Sequence, residues 1–171
     1  MSNFNNLTDI ERLILINQYE ILHALKPDQE YDKLSEQLRD GHQWLYKQIF
    51  SNILCKNLPD FETDYVLDIL NLFSILKDSY KQLEDKSEID EHFTNFIGFD
   101  GNNECAYLSF ADALSESGRY KNIMPNGCPN SHCPTTNRYK KMLSNWTELG
   151  KPNYPLLKEQ IQAIIKNPEM C

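Results

Sequence analysis

Apolar residues recur at helical spacing along almost the whole chain, and no stretch alternates as a half-buried strand would. The first periodic segment opens at Thr8. There T-D-I-E forms a capping box, in which the Thr8 hydroxyl receives the Glu11 N–H and the Glu11 carboxylate reaches back. It stops at Lys26, because Pro27 disfavours the helical region for the residue before it. Asp28 is placed to cap a second helix carrying Tyr31, Leu34 and Leu38, ending near Gly41. A third runs from about His42 to Cys55, and a fourth from about Asp60 to Leu83. The fourth is amphipathic, with Val66, Ile69, Leu70, Phe73, Leu76 and Tyr80 on one face.

Beyond it, S-E-I-D reads as a second capping box before a short helix with Ile89, Phe93, Phe96 and Ile97. G-F-D-G-N-N interrupts, and Asn102 or Asn103 is placed to cap a helix with Tyr107, Phe110, Ala113 and Leu114 that ends at Gly118. Residues 119–134 hold three of the eight prolines and no periodicity, so they read as a long loop. Thr135 or Thr136 caps the next helix, with Tyr139, Met142, Leu143 and Trp146; a final helix starts at Pro155. The expected fold is all-α, a single compact domain over residues 1–171 with about seven or eight helices.

The first helix is apolar nearly all round. Ile10, Leu13, Ile14, Ile21 and Ala24 share one side, with Asn17 in its middle, while Leu15, Tyr19 and Leu22 occupy the other. Such a helix is central to a core or shared with a second subunit. Asn17, expected inside, either fastens a neighbouring turn or faces a ligand. In the third helix Trp44 and Tyr46 project about 200° apart and cannot both face one core. A homo-oligomer, first of all a dimer, is therefore expected, with Leu15, Tyr19 or Tyr46 at the contact.

These segments also carry a family resemblance. L-T-D-I-E-R-L-I-L-I-N-Q-Y-E, I-D-E-H-F-T-N-F-I-G-F-D, Y-L-S-F-A-D-A-L-S-E-S-G-R-Y and R-Y-K-K-M-L-S-N-W occur in order and span nearly the whole chain. The chain resembles the YfbU family of small helical bacterial and archaeal proteins. The resemblance implies an all-helical cytosolic protein with no established reaction. Some relatives add a helix-turn-helix domain, which suggests ligand or partner sensing; this chain has no room for one.

Composition narrows the function classes. Of 171 residues 40% are hydrophobic and 25% charged, the balance of a globular protein. No apolar run nears the roughly 20 residues of a membrane span, and the N-terminus lacks the basic and apolar regions of a secretory signal. Five irregularly spaced cysteines point to free thiols in a reducing cytoplasm. A net charge of −8 argues against nucleic acid. Acidic residues outnumber basic ones twelve to three between Asp60 and Glu104, whereas basic ones lead six to one between Arg119 and Lys151. The two segments are expected to attract each other within the fold or between subunits, or to meet at a pocket.

Candidate chemistry is sparse. N-G-C-P-N-S-H-C-P places Cys128, His132 and Cys133 together, but zinc wants four ligands, usually as two pairs, and no second pair exists. No zinc is expected. Cys128 and Cys133 could close a small disulfide, without the C-x-x-C spacing of a redox catalyst. Asp90, Glu91, Asp100 and Glu104 form the densest carboxylate group, open to acid–base work, to holding Mg²⁺ or Ca²⁺, or to simple capping, although D-G-N-N-E is too short for an EF-hand loop. Arg119 and Tyr120 follow a helix-ending glycine; Arg119, like Arg12 on the first helix, suits an internal ion pair or an anion at a pocket mouth. L-S-E-Q-L-R-D-G-H-Q-W-L-Y resembles a helix-turn-helix but offers few groups for a groove. No phosphate loop, nucleophile elbow or cofactor motif occurs, so no cofactor is expected. The reading is a cytosolic helical module binding a small anion or a protein partner. The ligand candidates are Arg12, Asn17, Asp90, Asp100, Arg119 and Tyr120. The alternative is an enzyme using Asp90, Asp100 and Arg119.

Overall fold

The Thr8 capping box forms as the sequence predicts: the hydroxyl accepts the Glu11 N–H at 3.2 Å, and the Glu11 carboxylate accepts the Thr8 N–H at 2.8 Å. It launches α1, Asp9–Leu25, which ends at the cap Lys26 just before Pro27. A computed structural model of the chain describes residues 7–53 and 58–166. Within them lie seven helices: α1, α2 (Tyr31–Arg39), α3 (Gln43–Ile53), α4 (Asp60–Gln82), α5 (Cys105–Glu116), α6 (Thr136–Glu148) and α7 (Lys158–Ile164). No strand is present among the described residues, and the fold is all-α. The expected end of the third helix at Cys55 lies outside the described residues. The chain divides into two compact units, Met1–Asn57 and Leu58–Cys171.

The N-terminal unit packs α1 on α2, and α2 on α3, around Ile16, Leu34, Leu38, Tyr46 and Phe50. Leu15 and Tyr19 are half-buried against this small core. Asp28 does not cap α2: the N-cap is Glu30, with no side-chain bond. The other end of α2 is closed by α1. Arg12 donates from Nε to the Leu38 carbonyl at 3.0 Å and from Nη2 to the Arg39 carbonyl at 3.1 Å. A cation on the last free carbonyls of a helix satisfies them and opposes the helix dipole.

The C-terminal unit is built around α4, whose Val66, Ile69, Leu70, Leu72, Phe73 and Leu76 are fully enclosed. Tyr139 of α6 sits in an aromatic cluster, 5.1 Å from Phe73 and 5.7 Å from Phe96 and Phe99, and its hydroxyl donates to the Gly98 carbonyl at 2.8 Å. Edge-to-face and offset pairs at such spacing add to plain area burial.

Three sequence expectations change here. S-E-I-D starts no α-helix; Asp90 instead accepts the His92 N–H and caps a 3-10 turn, Glu91–Thr94. Neither Asn102 nor Asn103 caps α5; Glu104 holds that position, and its carboxylate is engaged elsewhere. The last helix begins at Lys158, three residues after Pro155.

The 119–134 loop is irregular but tied down. Phe99 donates to the Pro129 carbonyl and Ser131 to the Phe99 carbonyl, making an isolated bridge across the loop. Gly98 is required beside it, for two reasons. Its φ is +90°, and a Cβ there would sit 1.7 Å from the Pro129 oxygen. Asp112 accepts the Cys128 N–H, and Ser115 donates to the Met124 carbonyl. Ile123 and Met124 are thereby held in the core. One expected attraction between acidic and basic segments is realised as a Lys151–Asp68 ion pair at 2.8 Å.

Candidate functional site

The sequence places two apolar faces on α1, and periodicity cannot say which lies inside. The core takes the smaller one, with Ile16, Leu15 and Tyr19. The larger one faces outward: Ile10 is 73% exposed, Leu13 58%, Ile14 51%, Ile21 60% and Leu25 72%. Asn17, expected inside, is exposed in the middle of this stripe. Ile10, Leu13, Ile14, Ile21 and Ala24 all project within about 60° of it. Tyr46 is buried in the unit core, so the exposed aromatic of α3 is Trp44, at 70%.

In the C-terminal unit the acidic cluster resolves into structural fastenings. Glu104 is buried. One carboxylate oxygen accepts the Thr135 and Thr136 N–H groups at 2.9 and 2.8 Å, and the other accepts the Asp100 N–H and the Thr135 hydroxyl, each at 2.9 Å. The carboxylate thus sits at the N-terminus of α6, where a negative charge is favoured. Burial raises the Glu104 pKa, but the backbone donors from Asp100, Thr135 and Thr136 outweigh it and hold it below the ordinary value. Asp100, also buried, accepts the Asn103 side-chain amide and the Asn102 N–H, which lower its pKa in that order of importance.

Asp90 borders an open groove of about 650 Å³, whose lining includes Glu88, Phe93, Gln162, Ile165 and Lys166. Asp100 and Arg119 do not line it. This groove therefore does not bring the three groups proposed for acid–base work together. Arg119 is exposed, and the Tyr120 hydroxyl donates to Asn71 at 2.8 Å. Burial raises the Tyr120 pKa, partly offset by Arg119.

Beneath Phe93 lies a residue that sequence reasoning passed over. Arg138 is only 2% exposed, its guanidinium stacks 5.0 Å from the Phe93 ring centre, and its Nε and Nη2 have no hydrogen-bond partner. Burial lowers its pKa; the nearby Tyr139 and Asp90 oppose that shift. Its signal was position: Arg138 precedes Met142 by four residues and so shares the inward face of α6.

The cysteine loop departs from two expectations. Cys133 is disulfide-bonded, whereas Cys128 carries a free thiol, so no Cys128–Cys133 bridge closes the loop and the thiols are not all free. Burial pushes the Cys128 thiol up to about 12. Among the described residues no three His, Cys, Asp or Glu side chains gather as metal ligands would, and no helix is long and apolar enough to cross a membrane.

The family model of the YfbU domain matches residues 5–167. The chain belongs to the YfbU family. Among its relatives, UPF0304 protein MJECS11 of Methanocaldococcus jannaschii is 36% identical over 166 residues, covering 93% of this chain and 98% of that protein. UPF0304 protein MS2240 of Mannheimia succiniciproducens is 32% identical over 164 residues, with the same coverage of each chain. UPF0304 protein PM1500 of Pasteurella multocida is 29% identical over a like span. The motifs that suggest YfbU in the sequence include Ile10, Leu13, Ile14 and Asn17 of the outward stripe of α1 and the Asp90 to Asp100 segment.

Proposed function

We propose that this YfbU chain is a partner-binding regulatory module and that the outward face of α1 is its binding surface. One observation carries the reading. Five large aliphatic side chains on a single helix lie more than half open to solvent. Together they expose about 500 Å² of apolar surface, near the upper end of what monomers leave uncovered, and patches of that size commonly serve as interaction sites. The polar fastenings at Arg12, Asp100 and Glu104 fix helix ends and turns, whereas the stripe gathers five exposed aliphatic side chains on one helix.

A photo-crosslinking amino acid at Ile14, compared with one at Lys33, tests this in cells producing the protein. A discrete adduct is expected at Ile14 and none at Lys33. Equal, diffuse labelling at both positions would remove the basis for a binding face on α1.

A second reading is favoured by the unpartnered Nε and Nη2 of Arg138, beneath Phe93 of the Asp90 groove, as a subsite for a small carboxylate or phosphate. Citrate and inorganic phosphate should then raise the melting temperature of the wild type and not that of Arg138→Gln. An equal rise in both would dismiss it.

A further inference from the structure

The stripe on α1 is arranged about a centre. Counting from Asn17, Ile10 and Ala24 stand seven residues away on either side, and Leu13 and Ile21 stand four away on either side. A two-fold axis through Asn17 therefore lays α1 on an antiparallel copy of itself with Leu13 opposite Ile21 and Ile10 opposite Ala24. A two-fold interface requires this kind of self-complementary patch. A lone amide at the centre of an apolar seam is a known device for setting register and orientation, because an unpaired amide there is penalised in any other alignment.

Charge selects the antiparallel arrangement over the parallel one. The first turn of α1 carries Asp9 and Glu11, and its C-cap is Lys26. Antiparallel packing brings Lys26 of each chain to the acidic first turn of its partner and sets the helix dipoles head to tail. Parallel packing would set the acidic turns side by side. The area is sufficient as well: about 500 Å² of aliphatic surface from each chain gives a total of about 1,000 Å², the threshold of a specific interface before the polar rim is counted.

Resting on the proposal that α1 is a binding face, we infer that its partner is a second copy of this chain, paired antiparallel through α1 with Asn17 on the two-fold axis. The test uses the full chain in analytical ultracentrifugation from 1 to 100 μM, with circular dichroism to verify folding. The wild type should sediment at twice the chain mass. Leu13→Arg and Ile21→Glu should each weaken association at least tenfold. The double variant should recover it, because each new arginine then faces the partner's new glutamate. Asn17→Asp, which places two like charges at the axis, should also weaken association at least tenfold. A wild type that stays at the mass of one chain at 100 μM overturns the inference, as does a dimer indifferent to Leu13→Arg. A folded double variant that remains monomeric overturns the antiparallel alignment. The cross-link at Ile14 separates this inference from the reading beneath it. An adduct of twice the chain mass supports both, whereas an adduct with a different protein alone keeps the binding face and discards self-pairing. An adduct of single-chain mass discards both.

Discussion

Replacing Glu104 with glutamine isolates a buried carboxylate that accepts from Asp100, Thr135 and Thr136. The change keeps the shape and removes the charge, and it turns one acceptor oxygen into a donor. If the amide nitrogen takes the place facing α6, the Thr136 N–H loses its acceptor and the Thr135 N–H keeps only its longer contact, at 3.1 Å, with the remaining oxygen; if it takes the other, the Asp100 N–H loses its acceptor, while the Thr135 hydroxyl still reaches the Gly98 carbonyl. Either way at least one buried backbone donor is left unpaired, at about 1–3 kcal/mol, and the remaining bonds lose their charge assistance. Removing an anion from a partly buried helix N-terminus costs about another 1 kcal/mol. A loss of about 3 kcal/mol is therefore expected for the C-terminal unit. Urea unfolding followed by fluorescence measures it, in a Trp44→Phe background so that Trp146 alone reports and the N-terminal unit stays silent. The pH dependence gives an internal control. The folded-state pKa of Glu104 lies below its unfolded value, so its stabilisation is fully present above the unfolded value of about 4.3 and is lost as the pH falls through the folded one. The gap between wild type and variant should accordingly narrow below about pH 4. A loss under about 1 kcal/mol at pH 7, or a gap unchanged down to pH 3, would refute the account of Glu104 as a charged cap.

The remaining expectations concern neighbouring features. Arg138→Met keeps the contact with Phe93 and removes a buried cation with two unpaired donors, so stability should hold or rise by about 1–2 kcal/mol; a loss beyond about 2 kcal/mol in the same urea assay would mean that the guanidinium is satisfied. Gly98→Ala must move the Pro129 carbonyl and break the bridge between Phe99 and the loop. It should cost about 3 kcal/mol or more, and a change under about 1 kcal/mol would contradict that geometry. Iodoacetamide at pH 8 should modify exposed Cys105 well before Cys128, whose thiol burial pushes up to about 12. Equal rates by peptide mass mapping would count against that burial.

Helical content was legible because 3.6-residue periodicity and caps are local. Thr8 and Glu11 specify the start of α1 without help from the rest of the chain, and Pro27 specifies its end. The inward face of α1 was not legible: both faces are apolar, and the choice is made by Leu34 and Leu38 of α2, which pack with Ile16, and by Arg12, which holds the end of α2. Asn17 was misplaced for that reason. Asp28 and Asn102 have the chemistry of caps but were displaced by Glu30 and Glu104, since a cap is decided by where the chain turns. Glu104 was noticed only as one member of an acidic cluster. Its partners at Thr135 and Thr136 lie some thirty residues away, and no local pattern announces them. Arg138 was missed because apolar counting skips charged residues, even those on an inward face.

The stitching of residues 119–134 bears on how the chain tolerates changes of length. Loops ordinarily absorb insertions, because lengthening a flexible closure costs little. Here Asp112, Ser115, Phe99 and Gly101 each hold the loop at a fixed residue. At the first of those grips Ile123 and Met124 fill the interior. An added or deleted residue cannot remain a local event: it shifts two buried side chains past their sites or pulls a grip apart. The proline-rich stretch that looks most like a spacer is thus a measured strap, and its length belongs to the packing of the C-terminal unit.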